Sequence, residues 1–142
     1  MTVRPPFRRR PPSVYLRAPG APDAWEVVWY SERLADLSLL DAAVVAVVDR
    51  VGYLAVPVSE TDGQRRGGFL AVDDRLTARC LRYALLGRPG FPAVRVRWSS
   101  DRRVCHNVEW GEAPPDPDDD QVRGHFYGYS EQAIDRFVMA RT

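Results

Sequence analysis

Lysine is absent from this 142-residue chain, cysteine and histidine occur twice each, and isoleucine and asparagine occur once each, as Ile134 and Asn107. Two isolated cysteines, Cys80 and Cys105, exclude a disulfide framework and a zinc quartet, and they fit two free thiols in a reducing cytosol. The longest apolar run, Ala42 to Val48, is far short of a bilayer span, and the basic N-terminus has no apolar segment behind it. A soluble, unexported, cytoplasmic protein is therefore expected, with no membrane partner. Neither sign of charge dominates: 20 basic and 19 acidic residues give a net charge of +1. Balanced charge of this kind lacks the single-sign field of a dedicated nucleic-acid binder. Because every basic residue is arginine, the bias reads as a GC-rich coding sequence, and clusters of arginine carry less functional weight than usual, although a guanidinium still makes planar contacts that an ammonium cannot.

The length fits one domain able to bury a core without staples. Residues 1–12 hold four prolines and four arginines with no hydrophobic period and read as a disordered, partly polyproline-like arm, which leaves 13–142 as the folded domain. A short strand is expected at Val14 to Arg17. A capping-box-like start at Asp23 and Glu26 then predicts a helix from Ala24 to about Ala35 with Trp25 and Trp29 on its buried stripe. Alternating β-branched residues predict strands at Val44 to Asp49, Tyr53 to Val58 and Gly68 to Val72, an antiparallel meander in which Pro57 marks an edge or a bulge. Asp73 is placed to cap a helix from Asp74 to Leu86 with Leu76, Cys80, Tyr83 and Ala84 on its apolar stripe. A hairpin follows, in which Val94, Val96 and Trp98 share an inward face with Val104, His106, Val108 and Trp110, while Arg95, Arg97, Cys105, Asn107 and Glu109 line the other. After a loop from Glu112 to Asp120, Ser130 caps a terminal helix, Glu131 to Met139, with Ile134, Phe137 and Val138 as its stripe. The expected fold is α+β: about five antiparallel strands in one sheet, packed by three helices.

Side-chain chemistry concentrates between Gly87 and Met139, which holds both histidines, Cys105 and two of the four tryptophans. Cys105 is a candidate reactive thiol, but adjacent strand residues point to opposite faces, so His106 cannot serve it as a base. A lone histidine among Val and Trp is expected to be a hydrogen-bonded core residue. His125 is the better candidate acid-base group, paired with Glu109; an extended segment would put it on one face with Tyr127 and Tyr129. Together with Arg95, Arg97 and Asn107 these residues would line a polar-aromatic ligand cleft, against the alternative that the tyrosines simply pack a sheet edge. No Cys-x2-Cys or His-x3-His spacing is present, so no metal is expected, and no cofactor is implied.

The segment Gln64-Arg65-Arg66-Gly67-Gly68 partly resembles the pyrophosphate loop of acetyl-CoA-dependent N-acetyltransferases and makes Arg65, Arg66, Gly67 and Gly68 candidate anion binders. It departs from that pattern at Phe69, where a small residue is required, and the alternative is a Gly-rich turn between two antiparallel strands. A wider resemblance rests on Glu-Arg-Leu-Ala-Asp (32–36), Leu-Ala-Val-Pro-Val (54–58), Arg-Arg-Gly-Gly-Phe-Leu-Ala-Val-Asp-Asp (65–74), Gly-Arg-Pro-Gly-Phe-Pro (87–92), His-Asn-Val-Glu-Trp-Gly-Glu (106–112) and Phe-Tyr-Gly-Tyr-Ser (126–130). In these the chain resembles a short actinobacterial family of unknown function over Ala24 to Val138, which implies a high-GC bacterial source and no particular activity.

Three functions are compatible with these residues. The first is a non-catalytic binding or regulatory module for a protein or small-molecule partner, monomeric or homodimeric. The second is a small enzyme, an acyl transferase or acid-base catalyst, built around His125. The third is nucleic-acid association through the arginines of residues 1–17, which would be sequence-independent and salt-sensitive.

Overall fold

The computed structural model describes residues 12–60 and 63–141; of the Arg/Pro arm, only Pro12 falls within the described residues. The valine run Val44–Val48 forms β2, the centre of an antiparallel sheet between β1 (Val14–Arg17) and β3 (Val51–Ala55). Its nearly continuous apolar character reflects burial on both faces. Ala46 and Val48 enter one hydrophobic cluster, Val45 and Val47 another. The β2–β3 hairpin closes over Asp49 and Arg50, whose φ angles of 47° and 75° belong to the two-residue turn that matches strand twist. Strand β3 is an edge and ends at Ala55, before Pro57, which has no amide hydrogen to donate.

The expected meander does not continue past that proline. Strand β4 (Gly67–Val72) pairs instead with β6 (His106–Gly111), which also pairs with β5 (Arg95–Arg97), giving a second antiparallel sheet in the order β4-β6-β5. Two three-stranded sheets thus replace the single five-stranded one. Gly67 and Gly68 lie inside β4, not in a turn. Where strand pairing stops, the Val56 carbonyl accepts hydrogen bonds from two side chains, Trp110 Nε1 at 3.1 Å and Arg65 Nη2 at 3.3 Å, and this joint ties one sheet to the other.

Helix α2 (Arg75–Leu85) packs on strands of both sheets. It is capped by Asp74, not Asp73: the Asp74 carboxylate accepts the Thr77 amide at 2.8 Å. Its buried face is Ala78, Leu81 and Leu85, while Leu76 and Tyr83 are exposed and Cys80 lies half-buried against the core. The predicted stripe was rotated around the helix because Leu76 and Tyr83 are large enough to pass for core residues. With Phe91, Val94, Val108 and Trp110, this face completes the main cluster.

Helix α1 (Ala24–Ser31) is shorter than predicted and turns a different face inward. Val27 and Tyr30 pack on the second cluster, whereas Trp25 is 79% exposed and Val28 and Trp29 also reach the surface. Ahead of it, Arg17 grips the buried Asp23 through both guanidinium nitrogens at 2.6 and 3.1 Å, and hydrogen bonding to Arg17 holds that carboxyl below its ordinary range. Arg17 is therefore committed within the fold. Helices α3 (Asp120–Phe126) and α4 (Glu131–Arg141) bring the number of described α-helices to four. Ser130 caps α4 as expected, its hydroxyl accepting the Ala133 amide at 3.1 Å, and Ile134 is buried, though Phe137 is mostly exposed. None of the helices among the described residues is long and apolar enough to cross a membrane.

Candidate functional site

The hairpin register brings Arg95 and Phe69 opposite Glu109, and Arg97 and Ala71 opposite Asn107, so four of the residues expected on one face do share it. They neutralise one another there. The buried Glu109 carboxylate lies 3.1 Å from Arg97 Nη2 and 3.7 Å from Arg95 Nε. Arg95 spends its remaining donors on the carbonyls of Ala93, Gly111 and Glu112. On the other face His106 is a buried core residue: its Nδ1 accepts the Ser99 amide at 2.9 Å and its ring meets Trp98 edge-on at 5.2 Å. Cys105, just before the strand, is exposed.

His125 does not join this group. The segment before Tyr127 is helical, not extended, so His125 and Tyr127 diverge. The imidazole Nε2 sits 2.6 Å from Glu131 Oε1, and both side chains are largely exposed. This pair opens onto an open recess of about 660 Å³ shared with Arg66 and Glu112, themselves 3.7 Å apart. The anion loop is likewise not assembled. Arg66 turns outward, whereas Arg65 is only 2% exposed and donates to the carbonyls of Tyr127 (2.9 Å) and Val56 (3.3 Å). Burial lowers its pKa, and its Nε has no hydrogen-bond partner among the described residues.

Around Arg65 the C-terminal segment makes its sharpest turn. Gly128 takes a φ of +78° and passes so close to Arg65 that a Cβ there would lie 2.8–3.1 Å from Arg65 atoms. Isolated bridges then pair Tyr127 with Arg65 and Tyr129 with Leu34. The result is an aromatic chamber. Tyr127 packs 5.4 Å from Phe69 and 6.2 Å from Tyr129, which in turn lies 6.1 Å from Trp29. These four rings and Phe137, with Gly124, Ala133 and Ile134, line a half-open cavity of about 310 Å³ between α1, β4, α3 and α4.

Three arginines rim it. The Arg33 guanidinium lies 4.1 Å from the Trp29 ring centre, Arg123 lies 5.8 Å from that of Tyr127, and Arg141 donates to both oxygens of Asp120 at 2.8 and 2.9 Å.

Residues 19–142 match a family of unknown function, DUF6302. The chain belongs to that family. The match extends slightly beyond the resemblance read from residues 24–138. No curated protein and no solved structure matches this DUF6302 chain.

Of the sequence candidates, the chamber unites Tyr127 and Tyr129 but none of His125, Glu109, Arg95, Arg97 and Asn107. Trp29, Arg33, Phe69, Arg123 and Phe137 went unrecognised. The available signal was local: Trp29–Arg33 and Arg123–Tyr127 are both four residues apart, the spacing that stacks a guanidinium on a ring along a helix. Among the described residues, no three His, Cys, Asp or Glu side chains are grouped to hold a metal ion.

Burial pushes the Tyr129 phenol up to about 12 and raises that of Tyr127, against the opposing pull of neighbouring arginines. A phenol whose folded pKa exceeds its unfolded value stabilises the fold fully below about pH 10, and that contribution is lost as pH rises from about 10 to 12. Stability measured by urea unfolding should therefore fall over that interval, and fall less steeply in Tyr129→Phe. Equal slopes in the two proteins would contradict the assignment.

Proposed function

We propose that this chain is a non-catalytic binding module whose ligand seat is the aromatic chamber between α1, β4, α3 and α4. The observation that supports this reading is the chamber itself: about 310 Å³ lined by Trp29, Phe69, Tyr127, Tyr129 and Phe137 beside Arg33, Asp120, Arg123 and Arg141. That volume is at the small end of ligand pockets, and an apolar lining with a few polar groups is their usual make-up. An acid-base enzyme is less well supported. His125 is partnered by the exposed Glu131 and Glu109 by two arginines, so the expected catalytic pair is not assembled. Nucleic-acid association draws on residues 1–11, outside the described residues, and on Arg17, which is engaged with Asp23.

Indole, a neutral flat probe, tests the reading. Titrated into the ¹⁵N-labelled protein, it should shift the Trp29 side-chain resonance and the amides of Gly124 and Ala133 in a saturable manner. In Ala133→Leu, which fills the chamber, the saturable shifts should disappear. Shifts scattered over the surface, or unaltered by the filling substitution, would refute the reading.

A further inference from the structure

We infer that the chamber's occupant is a small organic anion, a flat apolar ring system carrying one carboxylate; this deepens the binding reading above and rests on it. The ring system follows from the aromatic walls. The negative charge follows from how the charges at the rim are partnered. Arg141 is neutralised by Asp120, with two contacts under 3 Å. Glu109, which does not line the chamber but lies opposite Phe69 in the β4–β6 ladder, is neutralised by Arg95 and Arg97. Arg33 meets only the exposed Glu32, at 3.7 Å, and spends one nitrogen on the Trp29 carbonyl at 2.9 Å. Arg123 has no ion pair among the described residues. Arg123, without an ion pair among the described residues, and Arg33, held only by a 3.7 Å contact to the exposed Glu32, therefore both line the largely apolar chamber, each over one of its wall rings.

In that position Arg123 also donates a hydrogen bond to the Tyr127 hydroxyl, and each guanidinium keeps further N–H donors for a ligand. A carboxylate presents two acceptors to the planar fork of a guanidinium, and such charge-assisted bonds are roughly twice as strong as neutral ones. A neutral ligand of the same shape would fill the chamber but leave the cations as they are. An ammonium ligand would meet like charge on two sides and bind worst.

The test uses three probes of one shape and different charge: 1-naphthoate, 1-naphthamide and 1-naphthylmethylammonium. Each is titrated calorimetrically into the full chain and into Arg123→Gln and Arg33→Gln, with circular dichroism to confirm that both variants are folded. The expected order of affinity is naphthoate, naphthamide, then the ammonium, with naphthoate about tenfold tighter than naphthamide, as one charge-assisted contact warrants. The naphthoate-to-naphthamide ratio should drop severalfold in Arg123→Gln, and a drop in Arg33→Gln would show that both guanidinium groups share the carboxylate. Naphthamide binding as tightly as naphthoate, or a ratio unchanged in both variants, would overturn the anion assignment while leaving the binding reading intact. If none of the three binds, the binding reading falls and the anion assignment with it.

Discussion

Arg65→Lys is expected to destabilise the protein by about 3 kcal/mol, more than Arg65→Met at the same position. The guanidinium is buried and, among the described residues, has no carboxylate as a hydrogen-bond partner. It is held by the carbonyls of Tyr127 and Val56, in two directions that a planar fork reaches together. An ammonium group keeps the charge but concentrates it at one more strongly hydrated point, so its desolvation costs more and one carbonyl loses its donor. Methionine removes the charge, and with it the unpartnered Nε. Of the two carbonyls it strands that of Tyr127 alone, because Val56 keeps its bond from Trp110, and it also removes the contact with the Tyr30 hydroxyl. Urea unfolding with an unchanged m value would measure both. A lysine variant as stable as the wild type, or more stable than the methionine variant, would show that the two-carbonyl bridge is not what holds Arg65 in place.

Gly68→Ala should lower stability by a similar amount, about 3 kcal/mol, or a fall in Tm of about 10 °C for a domain of this size. The backbone of Gly68 is ordinary strand, so conformational freedom is not the issue; space is. A Cβ there would lie 2.6 Å from Arg65 Nη2 and equally close to two carbons of the Trp110 indole. Trp110 is almost fully buried and hydrogen-bonded to the Val56 carbonyl, so retreat in either direction breaks the joint between the sheets. Because Arg65 and Gly68 share that joint, their effects should be non-additive: with methionine at 65, the alanine should cost less. Differential scanning calorimetry of the two single variants and the double variant decides the matter. A single Gly68→Ala variant melting within about 2 °C of the wild type would mean that the core yields where it is described as rigid.

Much of the fold was legible because period and chemistry agreed. The valine run of β2, the shared face of Arg95, Arg97, Asn107 and Glu109, the Ser130 cap and the core role of His106 all follow from local rules that tertiary packing did not override, whereas Trp98 and Val104, expected inward, lie outside the strands and are exposed. Where the reading failed, residues served purposes that resemble others. Arg65-Arg66-Gly67-Gly68 has the composition of a solvated turn, but its glycines make room for Phe126, Trp110 and Arg65. The shared face of His125, Tyr127 and Tyr129 required an extended segment, but helix α3 forms there with Gly124 in its middle. That glycine lets Ile134 of α4 approach to where a Cβ would lie only 2.5 Å from it. The chamber was least visible, since its walls come from four elements spread from Trp29 to Arg141, and only the tyrosines stood out.

Arg95 and Arg97, ion-paired with Glu109, also shape the edge of the second sheet. Strand β5 pairs with β6 alone and spans only Arg95–Arg97, so its outer side offers unpaired backbone to any passing chain. Such an edge invites uncontrolled strand addition unless it is short and charged. Here it is both: two of its three residues are arginine, and Ala93, at a φ of 54°, bends the chain out of strand geometry immediately upstream. Arg95 and Arg97 are therefore expected to discourage strand addition at this edge, and an apolar replacement of either is expected to make it adhesive.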